Sequence, residues 1–180
     1  MSENKNRIAI GCDHAAYALK DAVKAFIRQK GIQVDDFGTD SAESVDYPDF
    51  GIKVASLVSS REYERGILIC GTGIGMSMVA NRFPGVRAAL CGDLYSAMMS
   101  RRHNNANILV LGARVIGEGL ALEIVRIWLE TPFDGGRHQL RIDKFDRMIK
   151  SCIPSAKPSR SRGSVSASSS KLLHRKRSDT

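Results

Sequence analysis

Chemically capable side chains follow two of the short apolar runs in this 180-residue chain. The first run is followed by Cys12, Asp13 and His14, and a later run ends in Cys70 and the turn Gly71-Thr72-Gly73-Ile74-Gly75. Backbone N–H groups in a glycine-rich turn before a helix favour an anion, which suits a phosphate or an enolate oxygen. The same setting favours the thiolate of Cys70, which could then act as a nucleophile or a general base.

Two further groups of polar residues lie later in the chain. His103 and Asn104 directly follow a predicted helix and precede another apolar run, and Arg137 and Arg141 are spaced four apart near a predicted last helix. If that helix has begun at Arg137, the two guanidiniums share one face and could hold a phosphate. A solvated helix start explains the same spacing, just as a helix cap explains Asp13 and simple burial explains each cysteine.

The pattern of apolar runs predicts the elements that position these residues. Runs typical of strands alternate with helix-period segments, which indicates βαβ crossovers and a parallel sheet covered on both faces. We therefore predict a three-layer α/β domain and expect the residues after the strands, together with His103 and Asn104, to converge on one ligand-binding edge. The predicted strands are 7–12, 32–37, 66–70, 86–91 and 107–111, and the predicted helices are 15–30, 50–60, 76–82, 94–102, 118–130 and 139–150.

Charge separates a body from a tail. Residues 151–180 hold seven of the 27 basic residues, one of the 19 acidic residues and ten serines, so the net charge of +8 belongs mostly to this segment. We predict a folded domain over residues 1–150 and a basic, serine-rich, disordered tail over 151–180, with nucleic-acid or phospho-regulated contact through the tail as the alternative. No apolar run is long enough to span a membrane, and the absence of a signal-peptide pattern predicts a cytoplasmic protein.

Five motifs together resemble the family of B-type ribose-5-phosphate isomerases, which includes galactose-6-phosphate and allose-6-phosphate isomerases. They match in order and spacing over residues 7–150. The motifs are Gly11-Cys12-Asp13-His14, Asp46-Tyr47-Pro48, Cys70 to Gly75, Ser100 to Asn104, and Gly136-Arg137-His138.

The resemblance implies an aldose–ketose isomerase without metal or cofactor, with a Rossmann-like, five-stranded parallel sheet. It implies that Cys70 moves a proton between C1 and C2 of the sugar, and that Thr72 and the turn amides stabilise the enediolate. Some relatives use a glutamate at the position of Met76, which cannot take a proton. His103, with Asp13 nearby, is implied to open the furanose ring.

The resemblance also assigns the contacts to substrate. The implied substrate-binding residues are His14, Tyr47, Gly71, Gly73, Gly75, Asn104, Arg114, Arg137 and Arg141. It implies a homodimer or a dimer-based tetramer in which His103, Asn104, Arg137 and Arg141 come from the neighbouring subunit. The leading hypothesis is ribose 5-phosphate isomerisation in the pentose phosphate pathway. The alternatives are a hexose 6-phosphate isomerase and a non-catalytic sugar-phosphate-binding module.

Overall fold

A computed structural model describes residues 7–152 and contains one parallel, five-stranded sheet. The strands are β1 (Arg7–Cys12), β2 (Gln33–Asp36), β3 (Arg65–Cys70), β4 (Ala88–Leu90) and β5 (Ile108–Gly112). The helices are α1 (Tyr17–Gln29), α2 (Tyr47–Ser59), α3 (Ile74–Ala80), α4 (Leu94–Asn104), α5 (Glu118–Glu130) and α6 (Arg137–Cys152). A short 3₁₀ turn, His14–Ala16, precedes α1. The three-layer, Rossmann-like fold predicted from the sequence is confirmed.

The sheet order is β2-β1-β3-β5-β4. The chain leaves β1 toward β2 on one side and later returns to add β3 on the other, so the order reverses between β1 and β3. In open parallel sheets a crevice forms at such a reversal, beyond the carboxyl ends of the strands. This topology places the residues after Cys12 and after Cys70 around one crevice.

Both faces of the sheet are buried, as the near-continuous apolar strands predict. Alternate residues of β3 point to opposite faces, with Ile67 and Ile69 under α1, α4 and α5, and Leu68 and Cys70 under α2 and α3. The largest fully buried side chain, Trp128, fills the first of these layers. Each such side chain contributes on the order of 1.5–3 kcal/mol when removed from water, which holds the two helical layers on the sheet.

Predicted and observed boundaries agree for β1 and α5 and differ by a few residues elsewhere. Helix α2 begins at Tyr47, three residues earlier than predicted, because Pro48 lies in its first turn, where a missing N–H and a fixed φ are tolerated. Helix α6 begins at Arg137, so Arg137 and Arg141 are one turn apart in the same helix. The predicted tail, 151–180, lies almost entirely outside the described residues.

Within residues 7–152, no helix is both long and apolar enough to cross a membrane.

Candidate active site

The carboxyl edge of β1 positions Asp13 and His14. Asp13 is 7 % exposed, and its Oδ1 accepts a hydrogen bond of 3.1 Å from the backbone N–H of Ala15, so it caps the 3₁₀ turn as well as facing the crevice. Nδ1 of His14 accepts a hydrogen bond of 3.1 Å from the backbone N–H of Val45. In the neutral ring the proton then lies on Nε2, which makes that nitrogen the donor available to an anion.

The turn after β3 positions Cys70 and Thr72. The backbone N–H of Gly73 donates to Sγ of Cys70 at 3.2 Å, and the N–H of Ile74 donates to Oγ1 of Thr72 at 3.3 Å. Cys70 is 4 % exposed and lies where α3 begins. An N–H donor and a helix N-terminus both stabilise negative charge on the sulfur.

Glycine is required at two positions of this turn. Gly73 has φ +79°, and a Cβ on it would lie 2.4 Å from Cδ1 of Leu90. A Cβ on Gly75 would lie 2.6 Å from the ring of Tyr47, so the absence of a side chain lets Tyr47 pack against the turn. The glycines therefore allow the turn to be tight and allow an aromatic side chain to reach it.

Arg114 is attached to the same turn through the loop after β5. Its backbone N–H donates to the carbonyl of Gly71 at 2.9 Å, and its side-chain Cδ and Nε lie 3.6 and 3.8 Å from where a Cβ of Gly71 would stand. One edge of the sheet thus carries a thiol, a carboxylate, an imidazole, a phenol and a guanidinium. We call this set the carboxyl-edge half-site: Asp13, His14, Tyr47, Gly71, Thr72, Gly73, Gly75, Cys70 and Arg114.

The other two cysteines in the described core are chemically different from Cys70. Burial raises the pKa of Cys12 to about 12 and that of Cys91 to about 11. Both therefore remain thiols near neutral pH, and packing accounts for them.

The remaining predicted residues lie at the opposite edge of the sheet, so the prediction that His103 and Asn104 converge with the residues after the strands is wrong for a single chain. Helix α4 runs back against the strand direction and ends beside the start of β5, where Ala106 N–H donates to Ser100 O. Ile108 of β5 pairs with Gly66 near the start of β3, whereas Cys70 is at its end. The six residues of β3 are joined by five steps of about 3.3 Å, which put the two ends of the strand roughly 16 Å apart.

His103 lies at this second edge in a cluster that sequence reasoning missed. Its ring stacks on that of His138, with centroids 4.2 Å apart and planes 4° apart. Asp134 lies beside them and accepts two hydrogen bonds from Arg102 Nε, of 3.1 and 3.2 Å. His138 is 6 % exposed, and burial, together with the positive charges of His103 and Arg137, lowers its pKa. We call His103, Asn104, Arg137, Arg141, Asp134 and His138 the amino-edge half-site.

Three of these side chains could hold a metal ion. The ligand atoms of His103, Asp134 and His138 all lie within 4.8 Å of one another. Parallel stacked rings direct their nitrogen lone pairs side by side, whereas a tetrahedral metal needs them to converge, so one ring would have to rotate before both could bind. Asp134 is in addition already paired with Arg102.

A family model and several known proteins are similar to this chain over most of its length. The model for a family described as "Ribose/Galactose Isomerase" matches residues 8–145. Ribose-5-phosphate isomerase B of Escherichia coli is 47% identical over 137 residues, which cover 76% of this chain and 92% of that protein. D-erythrulose-4-phosphate isomerase of Pectobacterium atrosepticum is 46% identical over 138 residues, which cover 76% of this chain and 91% of that protein.

A solved structure is similar as well. The crystal structure of ribose-5-phosphate isomerase B from Mycoplasma genitalium, with bound ribulose-5-phosphate, superposes with a TM-score of 0.78 at 40% sequence identity. The match covers 80% of this chain and 96% of that one.

Proposed function

The chain belongs to the ribose/galactose isomerase family, and from this premise we propose that it interconverts ribose 5-phosphate and ribulose 5-phosphate. It is an aldose–ketose isomerase, and the observation that carries the proposal is the Cys70 thiol at the turn, with the backbone N–H of Gly73 directed at it. Such a reaction moves a proton between two carbons beside a carbonyl. It therefore needs a base, a site for the enediolate oxygen and an anchor for the phosphate.

The carboxyl-edge half-site supplies the base and the oxyanion site. The thiolate of Cys70 takes the proton from C2 of the open-chain aldose, and the electrons of that C–H bond form the enediolate with C1. The Cys70 thiol then returns the proton to C1 while the proton of the 2-hydroxyl moves to O1, so that C2 becomes the carbonyl carbon of the ketose. Thr72 and the amides of the Gly71–Gly75 turn hold the developing oxyanion, a contribution typically worth about 10²–10³ in rate per donor.

The phosphate anchor and the ring-opening acid–base group come from both edges. His14, Tyr47 and Arg114 belong to the carboxyl-edge half-site, whereas Arg137 and Arg141 belong to the amino-edge half-site. His103 passes protons between the sugar hydroxyl and the ring oxygen, with Asp13 on the opposite side, and Asn104 contacts sugar hydroxyls. Because about 16 Å of sheet separates the two half-sites, we propose that each active site joins the carboxyl edge of one chain to the amino edge of a second.

This arrangement makes the homodimer, or a tetramer built from dimers, the active form. The reaction uses no metal and no cofactor, because the thiol, the imidazole and the guanidiniums provide the proton transfer and the charge. We assign the catalytic domain to residues 1–150, and the tail, 151–180, to a role outside catalysis.

The identity of the sugar is open to direct test. A relative acting on a four-carbon ketose phosphate is almost as similar as one acting on ribose 5-phosphate, so a neighbouring chain length is the second candidate. We would assay the purified chain with ribose 5-phosphate, D-erythrulose 4-phosphate, allose 6-phosphate and galactose 6-phosphate under one condition. The proposal predicts the highest kcat/KM for ribose 5-phosphate. A higher value for another sugar would reassign the substrate, and inactivity with all four would leave only a binding role.

A further inference from the structure

A cleft of about 520 Å³ opens at the amino edge of the sheet, and none of the residues named in the two half-sites lines it. Arg65 at the start of β3 and Arg87 just before β4 line it, with Arg101 from α4 and Arg61 from the turn after α2. Two carboxylates, Glu64 and Asp146, are also in the lining. The balance of these charges is positive, and the cleft is large enough for a small organic anion.

The carboxylates of the cleft balance its arginines only in part, because the negative charge of Asp146 reaches Arg87 without a close ion pair. Among the side chains that the structure describes, none of the four takes part in an ion pair at 4.0 Å or less. Their hydrogen bonds go to neutral acceptors instead. Arg65 donates to Leu129 O at 3.0 Å, and Arg87 donates to Asn105 O at 3.0 Å. A guanidinium has more N–H groups than these bonds use.

Arg101 is the guanidinium of this cleft that has a buried donor without a partner. Its Nη1 donates to Asn105 Oδ1 at 3.1 Å and to Ala106 O, whereas its Nε is buried without a hydrogen-bond partner. Burial, together with the nearby charges of Arg65 and Arg87, lowers the pKa of Arg101 to about 10. It therefore stays charged at neutral pH, beside two like charges. Native proteins rarely leave a buried donor unpaired, and such a group calls for an explanation.

We propose that this cleft is a second binding site, distinct from the active site, for a phosphate group on a small molecule. A phosphate presents several acceptor oxygens and a double negative charge, so it can accept bonds from several guanidiniums and relieve their repulsion. The volume beyond one phosphate leaves room for an attached sugar-sized group. Free phosphate and a phosphate ester offer the same chemistry, and the experiment separates them.

The cleft carries its own reporter. Trp128, the chain's single tryptophan, has the guanidinium of Arg101 5.3 Å and that of Arg65 6.0 Å from its ring centroid. An anion that draws these cations toward itself changes the surroundings of the indole. We would titrate the full chain with inorganic phosphate, and separately with glycerol 3-phosphate, while chloride holds the ionic strength constant and tryptophan fluorescence is recorded.

Three variants define the outcome. The proposal predicts a saturable change in the wild type that weakens about tenfold or more in Arg87→Gln, since a charge-assisted hydrogen bond is lost. Arg28→Gln, which removes the same charge from an exposed position on α1, is predicted to titrate like the wild type. Arg114→Gln, which weakens the catalytic anchor, is predicted to retain the change. Tighter binding of glycerol 3-phosphate than of phosphate identifies an ester as the occupant, and equal binding identifies free phosphate.

Other results would overturn the proposal. A change that chloride reproduces would be screening, and loss of the change in Arg114→Gln would mean that the fluorescence reports the active site. If Arg87→Gln does not fold, Arg61→Gln replaces it, because Arg61 is exposed. If a folded cleft variant binds phosphate with the same affinity as the wild type, this site would also be excluded. Isomerase activity is measured beside each titration, so that failure of the second site and failure of the proposed function remain distinguishable.

Discussion

Mixing two inactive variants tests whether each active site is built from two chains. We would prepare Cys70→Ala, which damages the carboxyl-edge half-site, and His103→Asn, which damages the amino-edge half-site. Removal of a base or an acid–base group costs about 10²–10⁴ in rate, so each variant alone is predicted to be nearly inactive. The two residues lie at opposite edges of the sheet, whose strand β3 is roughly 16 Å long, so one chain cannot bring them to one substrate.

The recovery expected on mixing follows from two-fold symmetry. When subunits exchange at random in an equal mixture, about half of the dimers contain one chain of each kind. In such a dimer one site carries both lesions and the other carries neither. The mixture is therefore predicted to reach about a quarter of the wild-type kcat per subunit, with an unchanged KM for ribose 5-phosphate.

The assay needs proof of exchange and a matched control. The variants are unfolded together and refolded, mixed dimers are detected by native mass spectrometry, and ketose formation is measured. A mixture of Cys70→Ala with Thr72→Ala places both lesions in the same half-site, so it is predicted to stay inactive. Mixed dimers of Cys70→Ala and His103→Asn without activity would refute the shared-site reasoning, because an intact site would have formed in each.

Three further predictions concern the turn, the stacked histidines and the thiol. Gly73→Ala is predicted to lower the free energy of unfolding in urea by clearly more than Gly85→Ala. Both glycines have a positive φ, which costs alanine about 1–2 kcal/mol, but only at Gly73 would the added Cβ also clash with neighbouring atoms. Equal losses in the two variants would contradict this. Because the pKa of His138 is lowered, the folded state binds fewer protons than the unfolded state as the pH falls. The free energy of unfolding is therefore predicted to decrease below about pH 6.5, and to decrease less in His138→Gln. Parallel plots of unfolding free energy against pH for the two proteins would count against this. Iodoacetamide is predicted to inactivate the enzyme by alkylating Cys70 before Cys91, because burial raises the pKa of Cys91 and keeps it a thiol. Peptide mapping would show the order of labelling, and labelling of Cys91 first would contradict the prediction.

The sequence alone predicts the layers and most of the carboxyl-edge half-site. Apolar runs followed by Gly and polar residues mark where β1 and β3 end, and the crevice lies beyond these ends. The expectation that His103 shares an edge with Cys70 is wrong within one chain, although the sequence carries a signal for the correct edge. A helix that directly precedes a parallel strand returns the chain to the amino edge, so a residue at the end of that helix belongs to the opposite edge from Cys70.

Other features depend on tertiary contacts that no local pattern encodes. The stacking of His138 on His103 requires α6 to pack against α4. The arginine cleft joins residues from α2 to α6 that are far apart in sequence, and none of them forms a motif. The sequence contained a hint in Gly136-Arg137-His138, but its contact with His103 became visible only in the fold.

The most direct test of the account is the proton-transfer role of Cys70. Purified wild-type protein, Cys70→Ala and the matched Cys91→Ala would be incubated with ribose 5-phosphate and a chelator, and ribulose 5-phosphate formation would be followed. If Cys70 transfers the proton, activity is expected to resist the chelator in the wild type and in Cys91→Ala, and kcat is expected to fall by about 10²–10⁴ in a folded Cys70→Ala. Wild-type kcat in Cys70→Ala, or activity abolished by the chelator, would contradict it.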